Sequence, residues 1–295
     1  MNVLADTRPL DWRRHVRQGA VLGPPLVFFA ACFLLPLLYL FVVSFLEPSQ
    51  VELYEKRLTF ANYGRVITDD FYLMIIGRSL LATTIVLVIS LLLAYPAAMV
   101  IARFGPKWRI RMLAILLFPL MVSNVVRAYG WISILGRRGI ANTIMLDLGI
   151  IDAPLALLYS FNAVVLGLLT ILLPYMIISI ANALAAIDRS YTEAAESLGA
   201  SPLRTFWHVT LPLSSPGVAS GCLIVFFLAL SAYVTISLLG GPRFKLLVSL
   251  VFDTVVTLQW PRAAALSFIL LLLALAGGAV ILALTRPQRV RGRRA

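Results

Sequence analysis

The sequence predicts an all-α membrane protein with six transmembrane helices and both termini in the cytoplasm. Three observations carry that reading. Of the 295 residues, 61% are hydrophobic and only 13% are charged, more apolar surface than a soluble monomer of this size can hide. The apolar residues fall into six runs, each about twenty residues or longer, the length a helix needs to cross the hydrocarbon core. Summed over alternate segments, the basic residues favour one side of the membrane, fifteen against nine, as orientation by cytoplasmic Lys and Arg requires.

The runs lie at residues 21–45, 80–102, 112–135, 156–187, 217–239 and 263–284. The first is too long for a cleavable signal and reads as an uncleaved anchor. The segment before it, 1–20, is polar and basic, with Leu10 and Trp12 placed to anchor at the membrane surface. The first outer loop is the longest. Its Phe60, Tyr63, Val66, Ile67 and Phe71 spacing predicts a short amphipathic helix. A tight basic turn with Gly105 and Pro106 joins the second and third runs. The fourth run exceeds a bilayer's needs, so it is expected to tilt or to emerge as helix. The domain plan is therefore an N-terminal segment 1–20, a six-helix unit 21–285 and a basic tail 286–295. Cys32 and Cys222 both fall inside apolar runs, which argues against a disulfide framework.

With the N-terminus inside, the inner segments hold fifteen of the 25 basic residues and five of the 13 acids. The formal charge of +12 is thus explained by orientation and by anionic lipid at the span ends, and nucleic acid is not an expected partner.

Residues 193–212, within a loop at about 188–212, form a polar strip between the fourth and fifth runs. Ser190 followed three residues later by Glu193 has the form of a capping box, which predicts a short helix over 191–198. Gly199 suits a helix end. Ser201 and Pro202 suit a new start, as cap and first helical residue. The second helix is expected to stop before Pro212.

Glu193, Ala194, Ala195, Gly199, Val209, Leu211 and Pro212 share a longer pattern: EAA, three residues, G, nine residues, an aliphatic residue, one residue, LP. This strip resembles the cytoplasmic signature of permease subunits of binding-protein-dependent ABC importers. Asn62-Tyr63, Arg127-Ala128-Tyr129-Gly130-Trp131, Leu173-Pro174-Tyr175 and Leu239-Gly240-Gly241 are similar to the spermidine/putrescine-type branch. The resemblance implies a type I importer permease in the bacterial inner membrane, forming half of a pathway for a polyamine or related small organic solute. It implies as partners a second permease, two ATPase subunits and an external binding protein. It also implies that Glu193, Ala194, Ala195, Gly199, Leu211 and Pro212 couple this chain to the ATPase. Glu193 then supplies a charge, a cap, or both.

The energy source must lie elsewhere. A phosphate-binding loop ends in Gly-Lys-Ser/Thr, and Lys56, Lys107 and Lys245 follow Glu55, Pro106 and Phe244. ATP and Mg²⁺ are therefore expected on a partner chain, and no cofactor on this one. The two histidines, His15 and His208, lack companions at metal-ligand spacing. No carboxylate lies within a run, which disfavours a proton relay. The alternative reading is a self-sufficient secondary carrier or channel. Arg127 is the one full charge deep in a run. It is either a pathway or gate residue or a structural group held by a salt bridge or a carbonyl cap from a neighbouring helix near the outer end. Tyr129, Trp131, Tyr175 and Tyr233 could offer aromatic faces to a cationic solute. Carboxylates occur near the outer ends only, at Asp147, Asp152 and Asp253.

Overall fold

In the computed structural model of the protein, residues 12–49, 53–242 and 244–285 are described. The expectations placed on Leu10, on the Trp12 side chain, on Arg243 and on the tail 286–295 lie outside them. Helix α1, Trp12–Ser44, begins earlier than the apolar run because its start takes in Arg13, Arg14 and Arg17, residues that favour helix. A two-stranded antiparallel hairpin follows, β1 Leu46–Glu47 and β2 Glu55–Leu58. The amphipathic helix of the outer loop is α2, Ala61–Thr68, with Val66 buried. Asn62 fixes it by donating to the carbonyls of Ser44 (3.0 Å) and Leu46 (2.9 Å).

Helix α3, Asp70–Arg103, starts on an Asp69 cap and carries Pro96. After the Gly105 turn come α4, Pro106–Leu117, a 3₁₀ turn at Phe118–Met121, and α5, Asn124–Leu135. The third apolar run is therefore broken, with an 83° bend between its halves. Pro119 and the extended residue Val122 interrupt the helical hydrogen bonds there. Among the described residues, five helices are long and apolar enough to cross a membrane, or six when the bent pair counts as one span. Helix α6, Ile140–Asp147, lies in the next loop.

Helix α7, Phe161–Ala185, is the central post. Of its span 56% is buried, against 6% for α1. It packs against α3 and against α10, Leu211–Leu230. In lipid, helices associate through close packing and interhelical hydrogen bonds rather than exclusion from water, and the α7–α10 seam shows both. A Cβ on Gly217 would collide with the Cβ of Ala183, and Ser179 Oγ donates to the Gly217 carbonyl at 3.1 Å. The predicted fifth run, 217–239, is displaced. Its helix begins at Leu211 and ends at Leu230, and residues after Ala232 form a separate helix α11, Tyr233–Gly240. Helix α12, Leu247–Val256, and helix α13, Trp260–Thr285, complete the chain. Helix α13 packs against α10, α12 and α1, with Phe41 edge-on to Phe268 at 5.1 Å.

Candidate functional site: the polar strip between α7 and α10

Two short helical pieces and a glycine turn build the strip. Helix α8 spans Arg189–Ser197. Its cap is Asp188 and not the expected Ser190–Glu193 box: Asp188 Oδ1 accepts from the Ser190 N–H at 2.9 Å. Ser190 is thereby the donor of the cap bond, and the helix starts two residues earlier than the box requires. Hydrogen bonds from Ser190 hold the Asp188 carboxyl below the usual carboxylate range. Glu193 is freed from capping. Its carboxylate is exposed and makes no hydrogen bond or ion pair among the described residues.

The end of α8 is a Schellman closure. The Ala200 N–H donates to Ala195 O (3.0 Å) and the Gly199 N–H to Glu196 O (2.9 Å). Gly199 sits at φ +80° with open space where a Cβ would stand, so backbone conformation and not crowding favours glycine there. Ser201 then caps α9, Pro202–Thr205, accepting from the Arg204 N–H, with Pro202 in the first turn.

The second piece does not stop before Pro212. A π turn at Phe206–Thr210 joins α9 to α10 without a break. The Leu211 N–H donates to Phe206 O, five residues back, and Pro212 follows with no N–H to place. Leu211 is half-buried against the core, whereas Pro212 is exposed. Glu193, Ala194 and Gly199 are exposed and Ala195 is half-buried. Tyr191, Leu198, Leu203 and Trp207 are exposed beside them, Leu198 by 89%. That apolar knob on a polar strip was missed by sequence reasoning. Spacing alone does not say which strip residues point away from the bundle. Behind the strip, a cavity of about 650 Å³ separates α8 from the α3–α4 turn, with Arg103 and Arg109 on one wall and Asp188, Glu193 and Glu196 on the other.

The pathway candidates do not share one environment. Arg127 Nη2 donates to Pro119 O (2.6 Å) and Val122 O (3.0 Å), which makes it the carbonyl cap of the break between α4 and α5. Tyr129 is exposed. Trp131 Nε1 donates to Thr170 Oγ1 of α7 at 3.2 Å. Tyr175 packs against the main core. Tyr233 stacks on Phe252 at 4.1 Å, next in sequence to Asp253, whose carboxylate accepts from Lys245 Nζ.

The model of the binding-protein-dependent transport system inner membrane component family matches residues 93–290, the strip included. The chain belongs to this family. The permease is 33% identical to the spermidine/putrescine transport system permease protein PotB of Haemophilus influenzae, over 84% of this chain and 86% of that one. It is 32% identical to PotB of Escherichia coli, over 80% and 86%. With the inner membrane ABC transporter permease protein YdcU of Escherichia coli it shares 31% identity over 64% of each chain. Its fold matches a chain of a bacterial ABC transporter involved in the import of the acidic polysaccharide alginate, with TM-score 0.76 and 17% identity, covering 95% of this permease and 98% of that chain. Membership makes the chain a multi-pass membrane transport subunit and not an enzyme, and it sets aside the self-sufficient carrier.

Proposed function

We propose that this permease forms half of the translocation pathway of an ATP-driven importer. It pairs with a second permease of different sequence and works with two ATPase subunits inside and a solute-binding protein outside. It sits in the bacterial inner membrane with both termini in the cytoplasm, the orientation favoured by fifteen basic residues on the inner segments. The solute is a polyamine or a related small organic solute. The names of the PotB relatives support that class; the stacked Tyr233–Phe252 pair offers aromatic surface, while the carboxylate of Asp253, next in sequence, is already held by Lys245.

The ATPase docks on the strip through Glu193, Ala194, Ala195, Gly199, Leu211 and Pro212. The observation that carries this reading is a strip that exposes both the Glu193 carboxylate, unpaired among the described residues, and the apolar Leu198 side chain beside a closed glycine turn. An exposed cluster of large apolar side chains rimmed by charge marks a protein partner. The test is Gly199→Asp. Aspartate is among the few residues that tolerate the left-handed region, so the turn survives while a charge enters the contact. The variant is expected to insert normally, to lose its ATPase on purification and to abolish uptake. Normal uptake with the ATPase retained refutes the docking assignment.

A further inference from the structure

Two softened helices meet at one buried hydrogen bond. In α3, Tyr95 precedes Pro96. In α10, Ser214 stands between Pro212 and Pro216. Each proline deletes one i→i−4 hydrogen bond, and the π turn at Phe206–Thr210 further loosens the same stretch of α10. At that level the Tyr95 hydroxyl and Ser214 Oγ lie 2.7 Å apart, buried. Ser214 also donates to Leu211 O. Phe206 stands edge-on to Tyr95 at 5.5 Å, and Trp207 edge-on to Phe206 at 5.3 Å. Trp207 is exposed on the strip. Contacts therefore run without a gap from the strip surface, through Trp207 and Phe206, to Tyr95 inside the bundle.

We propose that Tyr95 is the positioning residue that ties the strip to α3, so that movement imposed on the strip passes into α3 through the Tyr95–Ser214 bond and the Phe206 contact. The proposal rests on the strip being the ATPase contact. Without the tie, the prolines and the π turn let the base of α10 bend locally and the displacement is absorbed there. Interfaces with discrete packings transmit movement, and a buried hydrogen bond backed by ring packing holds one of them in register.

The test uses the permease assembled with its ATPase in lipid nanodiscs. A spin label is placed at Leu81→Cys, an exposed site in the half of α3 before Tyr95, in a Cys32→Ser background. Trapping with ATP and vanadate is expected to shift the label in the otherwise native chain. In Tyr95→Phe the shifted population falls roughly threefold to tenfold, the range set by the net worth of one hydrogen bond, with ATPase retention unchanged. Ser214→Ala strands the Tyr95 hydroxyl and lowers thermal stability. The double variant Tyr95→Phe/Ser214→Ala recovers stability because no buried polar group is left alone, yet its shift stays small. A label that does not move in the native chain, an undiminished shift in Tyr95→Phe, or a shift that returns with stability in the double variant overturns the proposal. Gly199→Asp separates the two claims. ATPase retained by that variant overturns the docking reading and the route through Tyr95 with it. ATPase lost by Gly199→Asp, with a native shift in Tyr95→Phe, overturns the Tyr95 role alone.

Discussion

Removing the Arg127 guanidinium tests whether this residue braces the bundle or gates it. The break between α4 and α5 leaves backbone carbonyls without helical donors, and irregular backbone in a spanning segment persists only where partners satisfy it. Arg127 donates to two carbonyls there, Val122 O and Pro119 O, the second of which also accepts from the Val122 N–H. A hydrogen bond to a charged group contributes about 1.5–3 kcal/mol. The group is partly exposed, so the lower end applies and Arg127→Met is expected to cost about 2–3 kcal/mol. Arg127→Lys keeps a charge but not the planar fork and is expected to cost about half as much. The assay pairs thermal unfolding of the purified variants in detergent with the KM for solute uptake. A brace predicts graded loss of stability, Met more than Lys, with KM unchanged in the folded fraction. A Met variant as stable as the native chain but altered in KM refutes the bracing argument and restores the gate.

Two further outcomes follow from the same geometry. Asn142 is fully buried and ties Gly136 O and both backbone groups of Leu155 to α6, so Asn142→Ala is expected to cost about 2–4 kcal/mol in thermal unfolding without loss of the ATPase on purification; an unchanged melting temperature would show that the loop is held by other contacts. The Asp188 carboxyl is depressed by hydrogen bonds from Ser190, so its support of α8 is complete above the unfolded carboxylate value, near about 4, and is lost only as pH falls through the lower folded value; amide exchange of α8 should therefore keep constant protection between about pH 5 and 8, and protection lost within that window would contradict the cap.

Much of this architecture was legible because lipid demands long apolar runs, and runs can be counted. The glycine turn at Gly199 and the Ser201–Pro202 restart were legible because each requires a particular residue type. The bend in the third run was not, since apolar residues continue on both sides of Pro119 and hydropathy carries no direction. The cap of α8 was misplaced because Asp188 and Ser190 are both competent caps two residues apart, and only the backbone path decides which accepts and which donates. Pro212 was read as a stop because proline disfavours helix at the residue before it. A π turn overrode that preference by pairing Leu211 one residue further back. The hairpin Leu46–Glu47/Glu55–Leu58 is too short to leave a periodic signal. Of the pathway candidates, the sequence could not tell which aromatic groups face solvent and which, like Tyr175, belong to the core.

The pairing of α1 with α13 sets a timetable for biogenesis. Phe41 and its ring partner Phe268 are separated by about three quarters of the chain, so at translation rates of about 5–20 residues per second the first helix waits roughly 10–45 s for this partner. It can wait because its exposed side chains from Val27 to Val42 are apolar and lipid solvates them as well as protein does. The earliest helix to enter the bilayer is thus among the last to meet its partner helix, held until then at its end, where Ser44 bonds Asn62 and Tyr63 of α2.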